Sequence, residues 1–198
     1  MEYYLLLNPW TGMILWTLIY ISDYSLTIAS ARKYRANSHF EFEGSFELTP
    51  QFEKDVDALR PISRRHLLML LLTNGLLIAF WWSFSVISLP QGYLLILGAF
   101  LLMEAGIHMR HFRTFHLLRV VEMNGGLEGK ILYRRWLMFS TSAMEFFIYS
   151  ILFLITSILT NSYFFFGGAI SCWSLAINHH GKYRKLYKQK ASERVVQV

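Results

Sequence analysis

Three ionisable residues, Glu104, His108 and His111, interrupt a stretch that is otherwise apolar enough to cross a lipid bilayer. On a helix, their side chains fall within roughly 60° of one another. Carboxylate and imidazole groups bind zinc, iron and manganese, and both groups exchange protons near physiological pH when their surroundings favour it. A charged side chain at mid-bilayer costs about 2.5–3.5 kcal/mol on insertion scales, so such residues usually serve a function. The pattern therefore predicts a site for protons or metal ions.

Two further acids lie at a similar depth in other apolar segments. Counted at about 1.5 Å per residue from the segment ends, Asp23 and Glu104 lie roughly 12 Å deep and Glu145 lies roughly 13 Å deep. Three neighbouring carboxyl groups cannot all stay ionised without a compensating charge. We therefore predict one polar centre formed by Asp23, Glu104 and Glu145, with His108 and His111 as partners. All five residues are candidate metal ligands.

The remaining polar residues near this level receive structural roles. Asn74 and Ser171 belong to the class of intramembrane residues that mostly hold helices together. The glycines at 98, 167 and 168 are small enough to let helix backbones approach closely. Arg110 and Arg113 point away from the Glu104 face, and we expect their side chains to reach the lipid headgroups.

The composition supports a membrane location for this centre. Of the 198 residues, 54% are hydrophobic and 16% are charged, and the apolar residues form long uninterrupted blocks. A bilayer core needs about 20 helical residues. The sequence therefore predicts an all-α membrane protein with a five-helix transmembrane bundle in residues 1–180. The predicted spans are 9–31, 67–88, 93–112, 136–160 and 163–179.

Lysine and arginine residues occur on alternate connections between these spans. The first eight residues and the turns LPQG and TNS contain none, whereas 32–66, 113–135 and the tail 181–198 contain many. The positive-inside rule therefore predicts a multi-pass protein with its N-terminus outside and its C-terminus cytoplasmic. We expect the basic tail to contact anionic lipid headgroups. The start of the chain has no basic region or cleavage site, so we expect it to remain in the mature protein.

The two long connections have patterns of their own. Residues 39–50 alternate apolar and acidic side chains, which is typical of a strand or an extended flap. The acids Glu41, Glu43 and Glu47 either form a solvated face or belong to a cytoplasmic cap that directs carboxylates towards the polar centre. A short helix is predicted at 53–59, and the third span is predicted to continue as a helix up to Gly125-Gly126.

Several chemistries are excluded or disfavoured. The single cysteine, Cys172, permits neither a disulfide framework nor a thiolate zinc site. The sequence contains no zinc-protease motif, phosphate-binding glycine loop or serine-hydrolase elbow. Haem ligation requires a second histidine at matching depth on another span, and the sequence places none there. No motif supports a nucleic-acid partner.

The leading interpretation is a protein that binds or conducts a small cation, either a proton or a divalent metal ion. Asp23, Glu104 and Glu145 act as ligands or proton carriers, and His108 acts as a titrating partner. Five spans without an internal repeat are few for alternating access, so we expect a homo-oligomer or a partner subunit. Two alternatives remain open. One is an intramembrane metal-dependent enzyme acting on a lipid-like substrate, with Glu104, His108 and His111 as ligands, and the other is a structural accessory subunit.

Overall fold

The computed structural model describes residues 2–36, 39–124 and 127–196, with side chains described from 4 to 190. Helices and two short strands follow one another along the chain. In order they are α1 (Glu2–Leu7), α2 (Pro9–Ala36), β1 (Phe40–Phe42), α3 (Pro50–Asp57), α4 (Arg64–Val86), α5 (Pro90–Asn124), β2 (Ile131–Tyr133), α6 (Arg135–Thr160) and α7 (Tyr163–Val196).

Among the described residues, four helices, α2, α4, α5 and α6, are long and apolar enough to cross a bilayer. The chain is thus an all-α protein with the helices of a multi-pass membrane protein. The predicted fifth span, 163–179, forms the first half of α7, but α7 does not meet the same criterion of length and hydropathy. Its apolar part ends at Asn178, His179 and His180, and the helix then continues without a break through most of the basic tail.

Helix α7 packs along both α5 and α6 and lies between them. A Cβ atom built on Gly98 of α5 would lie 1.8 Å from the carbonyl oxygen of Phe164 in α7. One built on Gly167 would lie 1.8 Å from the carbonyl oxygen of Leu95. The predicted close approach at these glycines is therefore confirmed, since neither position has space for a side chain.

On the other side of α5, helices α2 and α4 complete the bundle. Trp16 is 2% exposed and donates a hydrogen bond from Nε1 to Thr73 Oγ1 over 2.8 Å. Asn74 Nδ2 donates to Thr17 Oγ1 over 3.1 Å, so Asn74 links α4 to α2 as expected of a packing residue. Ser171 donates to a carbonyl oxygen of its own helix, Gly168 O.

One end of the bundle carries a small cap, which we define as residues 39–63 and 127–134. Strands β1 and β2 pair in parallel, with Phe40 opposite Ile131 and Phe42 opposite Tyr133. The predicted extended segment at 39–50 thus contains a short strand. The predicted helix at 53–59 is present as α3, which begins three residues earlier at Pro50.

Ion pairs attach the cap to the helices. Glu43 Oε1 lies 3.1 Å from Arg134 Nη1 and 3.2 Å from Lys190 Nζ, and Glu43 Oε2 accepts a hydrogen bond from the backbone amide of Arg135. Burial acts to raise the pKa of Glu43, but these donors outweigh it and hold the pKa below its ordinary value. The Glu43 carboxylate, which follows β1, therefore connects the cap to the start of α6 and to the C-terminal part of α7.

A second carboxylate fixes the turn between α3 and α4. Asp55 is 5% exposed, and its two oxygens accept hydrogen bonds from Ser63 Oγ at 2.5 Å and from Arg60 Nη1 at 2.9 Å. Ser63 is also the N-cap of α4 and accepts a bond from the amide of His66. The Ser63 hydrogen bond and the Arg60 charge outweigh the effect of burial and lower the pKa of Asp55.

Candidate functional site

A cavity of about 210 Å³ lies at the capped end of the bundle and is here named the polar cavity. Its walls come from α2, the cap, α4, α5, α6 and α7. The cavity thus joins segments that are far apart in the sequence around several ionisable groups. The acids and histidines in its wall are Asp23, Glu47, His66, Glu104, His111 and His179.

Asp23 of α2 faces the histidine face of α5. Its Oδ1 atom lies 3.9 Å from His108 Nδ1 and 4.0 Å from His111 Nε2. These distances are too long for direct hydrogen bonds. Both Asp23 Oδ1 and His108 Nδ1 are buried and have no hydrogen-bond partner among the described residues. The carboxylate and the two imidazoles therefore face each other just beyond hydrogen-bond distance.

Glu104 lies one helical turn before His108 and is 5% exposed. It lines the polar cavity together with Asp23 and His111. Four of the five residues predicted as a polar centre are therefore placed together, two acids from different helices and two histidines from α5. This grouping follows from the helical face on α5 and from the packing of α2 against α5.

Glu145, the third predicted acid, is placed elsewhere. It forms an ion pair with Arg113 and is not among the residues that line the polar cavity. Its second oxygen, Oε2, is buried without a hydrogen-bond partner in the described part of the chain. Because α7 lies between α5 and α6, the α6 carboxylate meets the arginine end of α5 instead of the Glu104 face.

Arg110 contradicts the expectation that it reaches the headgroups. Its guanidinium lines the polar cavity, donates a hydrogen bond to Ser142 and lies 5.7 Å from the ring centre of Phe146. An arginine side chain is long enough to curl back around its helix, and buried acids favour that position electrostatically. Arg110 thus supplies a positive charge beside Asp23 and Glu104. Arg113 points away from the cavity, as predicted, but binds Glu145.

Two further histidines line the polar cavity, His66 from α4 and His179 from α7. The expectation that no span other than α5 carries a histidine at the depth of the site is therefore wrong. His66 stacks on Tyr20 and Tyr24, with ring centres 4.1 and 4.5 Å apart, and is 7% exposed. His179 Nδ1 lies 2.8 Å from Ser142 Oγ.

The sequence carries signals for both of these histidines. Ser63 has the N-cap position three residues before His66, which places His66 in the first turn of α4 and not in a loop. His179 continues the buried stripe of Cys172 and Ala176 at helical spacing, so it faces the bundle and not the membrane surface.

The cap contributes one further acid. Glu47 is 8% exposed, lines the polar cavity, and accepts a hydrogen bond at Oε1 from the amide of Thr49 over 2.7 Å. Two interpretations were possible for the acids of residues 39–50. Glu47 fits the one in which a cap directs a carboxylate towards the polar centre. Glu41 is solvent-exposed, and Glu43 holds the cap in place.

Within the described residues, no group of three or more histidine, cysteine or acidic side chains is placed to hold a metal ion. No protein-family model, curated protein or solved structure matches this chain. The chemistry of the site therefore rests on its own geometry. Asp23 Oδ1 lies within 4.0 Å of the ring nitrogens of His108 and His111, so a small side-chain movement brings the carboxylate and an imidazole into hydrogen-bond reach.

Proposed function

We propose that this protein binds or conducts a small cation through the polar cavity, and that the cation is a proton. The observation that carries the proposal is the Asp23 carboxylate, which faces His108 and His111 at 3.9 and 4.0 Å with Glu104 in the same cavity. In this proposal, a carboxylate and two imidazoles that lie this near to hydrogen-bond distance form a proton-exchange unit. A divalent metal ion is less well supported, because the described residues offer no three-ligand group.

Access to this unit is open only from the capped end. The other half of the bundle has a closely packed, mostly apolar core, in which Leu77 and Leu97 are 0% exposed and Trp16 is 2% exposed. A proton therefore reaches Asp23 past Glu47 and the cap, and full passage requires a movement of helices or a second copy of the chain.

The topology that we propose has five spans, with α7 as the fifth. Basic residues then lie on the capped side at every crossing, which the positive-inside rule places in the cytoplasm. The exposed basic residues of α7 at 184, 185 and 188 extend beyond the bundle and contact anionic headgroups. Under this topology Asp23 takes its protons from the cytoplasm.

The test is proton flux into liposomes that contain the purified protein and an entrapped pH-sensitive dye, driven by a potassium diffusion potential. We expect wild-type flux above that of empty liposomes, and flux near the empty-liposome level for Asp23→Asn and Glu104→Gln. Glu122→Gln is the matched control, because Glu122 is an acid on the same α5 helix that pairs with Lys33 outside the cavity.

Full flux in both cavity variants would refute the assignment. A stoichiometric, tightly bound transition metal in the purified protein, lost in the His108→Ala and His111→Ala variants, would replace the proton with a metal ion and favour the enzyme alternative.

A further inference from the structure

A second cavity, of about 150 Å³, lies beside the polar cavity and is here named the apolar cavity. Its walls come from the cap on one side and from α5 and α6 on the other. The two cavities share Glu47, Leu48, Arg110 and His111 in their walls. Most of the remaining wall is aromatic or aliphatic. These wall residues include Phe40, Phe42, Phe46, Leu118 and Tyr133.

Cationic and hydroxyl groups lie at the α5–α6 side of the apolar cavity. Arg113 lines it, and the Arg113 side chain is 65% exposed. A guanidinium carries five N–H donors in a planar fork that fits carboxylate or phosphate oxygens. Among the described residues, the Arg113 guanidinium donates a hydrogen bond to Oε1 of Glu145. Thr114 and Thr141 add hydroxyl groups to the same side.

Apolar side chains continue from the cavity between α5 and α6. Met103 and Ile107 on α5 pack with Phe146 and Tyr149 on α6. Phe146 is 1% exposed, so these side chains fill the space between the two helices and the cavity is closed on this side. Leu117, which lines the cavity, is 46% exposed.

We propose that the apolar cavity binds a single-chain anionic amphiphile. The anionic head, a phosphate or a carboxylate, binds Arg113, and the part of the chain next to the head fills the apolar cavity. An apolar space of this volume holds a benzene-sized group, so it accommodates one chain and not two. The rest of the chain leaves the cavity beside the half-exposed Leu117. This site is distinct from the proposed proton site, although Glu47, Leu48, Arg110 and His111 border both.

The charges of Arg113 and Glu145 predict that substitutions of these two residues change ligand affinity in opposite directions. Arg113 has Glu145 as a competitor for the anionic head. Removing the arginine therefore weakens binding, whereas neutralising Glu145 strengthens it. A site that recognised only the hydrocarbon chain would respond to neither change.

The experiment is native mass spectrometry of the detergent-solubilised protein, titrated with three ligands that carry the same oleoyl chain. These are lysophosphatidate, oleate and monooleoylglycerol, whose head is neutral. We expect one molecule of lysophosphatidate or oleate to bind, and monooleoylglycerol to bind roughly tenfold more weakly, as loss of a charge-assisted hydrogen bond implies. The stronger of the two anionic ligands identifies the head as a phosphate or a carboxylate.

The variants then assign the site. Arg113→Gln is expected to lower affinity roughly tenfold and Glu145→Gln to raise it. Leu117→Trp, introduced at a half-exposed position, fills the cavity and abolishes binding. Arg119→Gln, on an exposed part of the same helix and outside the cavity wall, leaves affinity unchanged. Equal binding of the three ligands, or affinity that is unchanged in the arginine, glutamate and tryptophan variants, would overturn the proposal.

Discussion

At the scale of single residues, the helical periodicity of α5 predicts most of the candidate site. Glu104, His108 and His111 share a face, and that face meets Asp23. The placement of Arg110 and Glu145 could not be predicted in the same way. Which acid an arginine binds depends on which helix lies beside it, and the order of α5, α7 and α6 in space is a tertiary property.

Asp55 is expected to stabilise the cap in a pH-dependent way. Its lowered pKa means that the stabilisation is present above the pKa of the unfolded chain, about 3.9, and is lost as pH falls through the lower folded value. Asp55→Asn should cost roughly 1.5–3 kcal/mol at pH 7, since it removes hydrogen bonds to a buried charge. Thermal unfolding in detergent should show this difference at pH 7, and the difference should shrink below about pH 4.

The exposed acid Glu41 provides the control for this prediction. Glu41→Gln should unfold at the wild-type temperature at both pH values. An Asp55→Asn variant with wild-type stability at pH 7 would show that the carboxylate does not hold the α3–α4 turn.

At the scale of elements, hydropathy and turn residues locate the helices to within a few positions. The segment predicted at 136–160 is α6, and the predicted extension of the third span ends with α5 at Asn124; Gly125-Gly126 lie outside the described residues. Two features could not be predicted. The parallel pairing of β1 with β2 joins residues about ninety positions apart, and α7 continues through Gly181 into the tail without a break.

The contact between α5 and α7 predicts a sharp difference among glycine substitutions. Gly98→Ala and Gly167→Ala each place a methyl group against a backbone carbonyl, so the helices must separate and the protein should lose thermal stability or fail to accumulate. Gly75→Ala has nothing within 4 Å of the added Cβ atom and should be neutral or slightly stabilising.

Thermal unfolding of the three purified variants in one detergent tests this difference. Similar unfolding temperatures for Gly98→Ala and Gly75→Ala would show that α5 and α7 do not approach as closely as described.

At the scale of the whole molecule, the charge distribution and the helix packing favour one topology. Gln91, in the first turn of α5, and Asn161, at the end of α6, lie at the uncapped end. Lys188 lies at the capped end, between Tyr187, which packs on Trp136, and Lys190, which pairs with Glu43 of the cap. Five spans place Gln91 and Asn161 outside and Lys188 inside. If α7 does not cross the bilayer, Asn161 and Lys188 lie on the same side.

Single-cysteine labelling in intact cells distinguishes these topologies. Cys172, the one native cysteine, is fully buried and is replaced by alanine. With five spans, a membrane-impermeant maleimide should label cysteines at 91 and 161 and should label one at 188 only after permeabilisation. Labelling of 161 and 188 under the same condition would contradict the fifth span.

The central claim is that Asp23 and Glu104 form one buried proton-binding unit, and difference infrared spectroscopy tests it most directly. Between alkaline and acidic pH, the wild-type protein should show a carboxyl C=O band that shifts in deuterated water. Asp23→Asn and Glu104→Gln should each remove part of this band and alter what remains, because the two groups interact, whereas Glu122→Gln should leave it unchanged. A band that is identical in the wild type and both cavity variants would contradict the account.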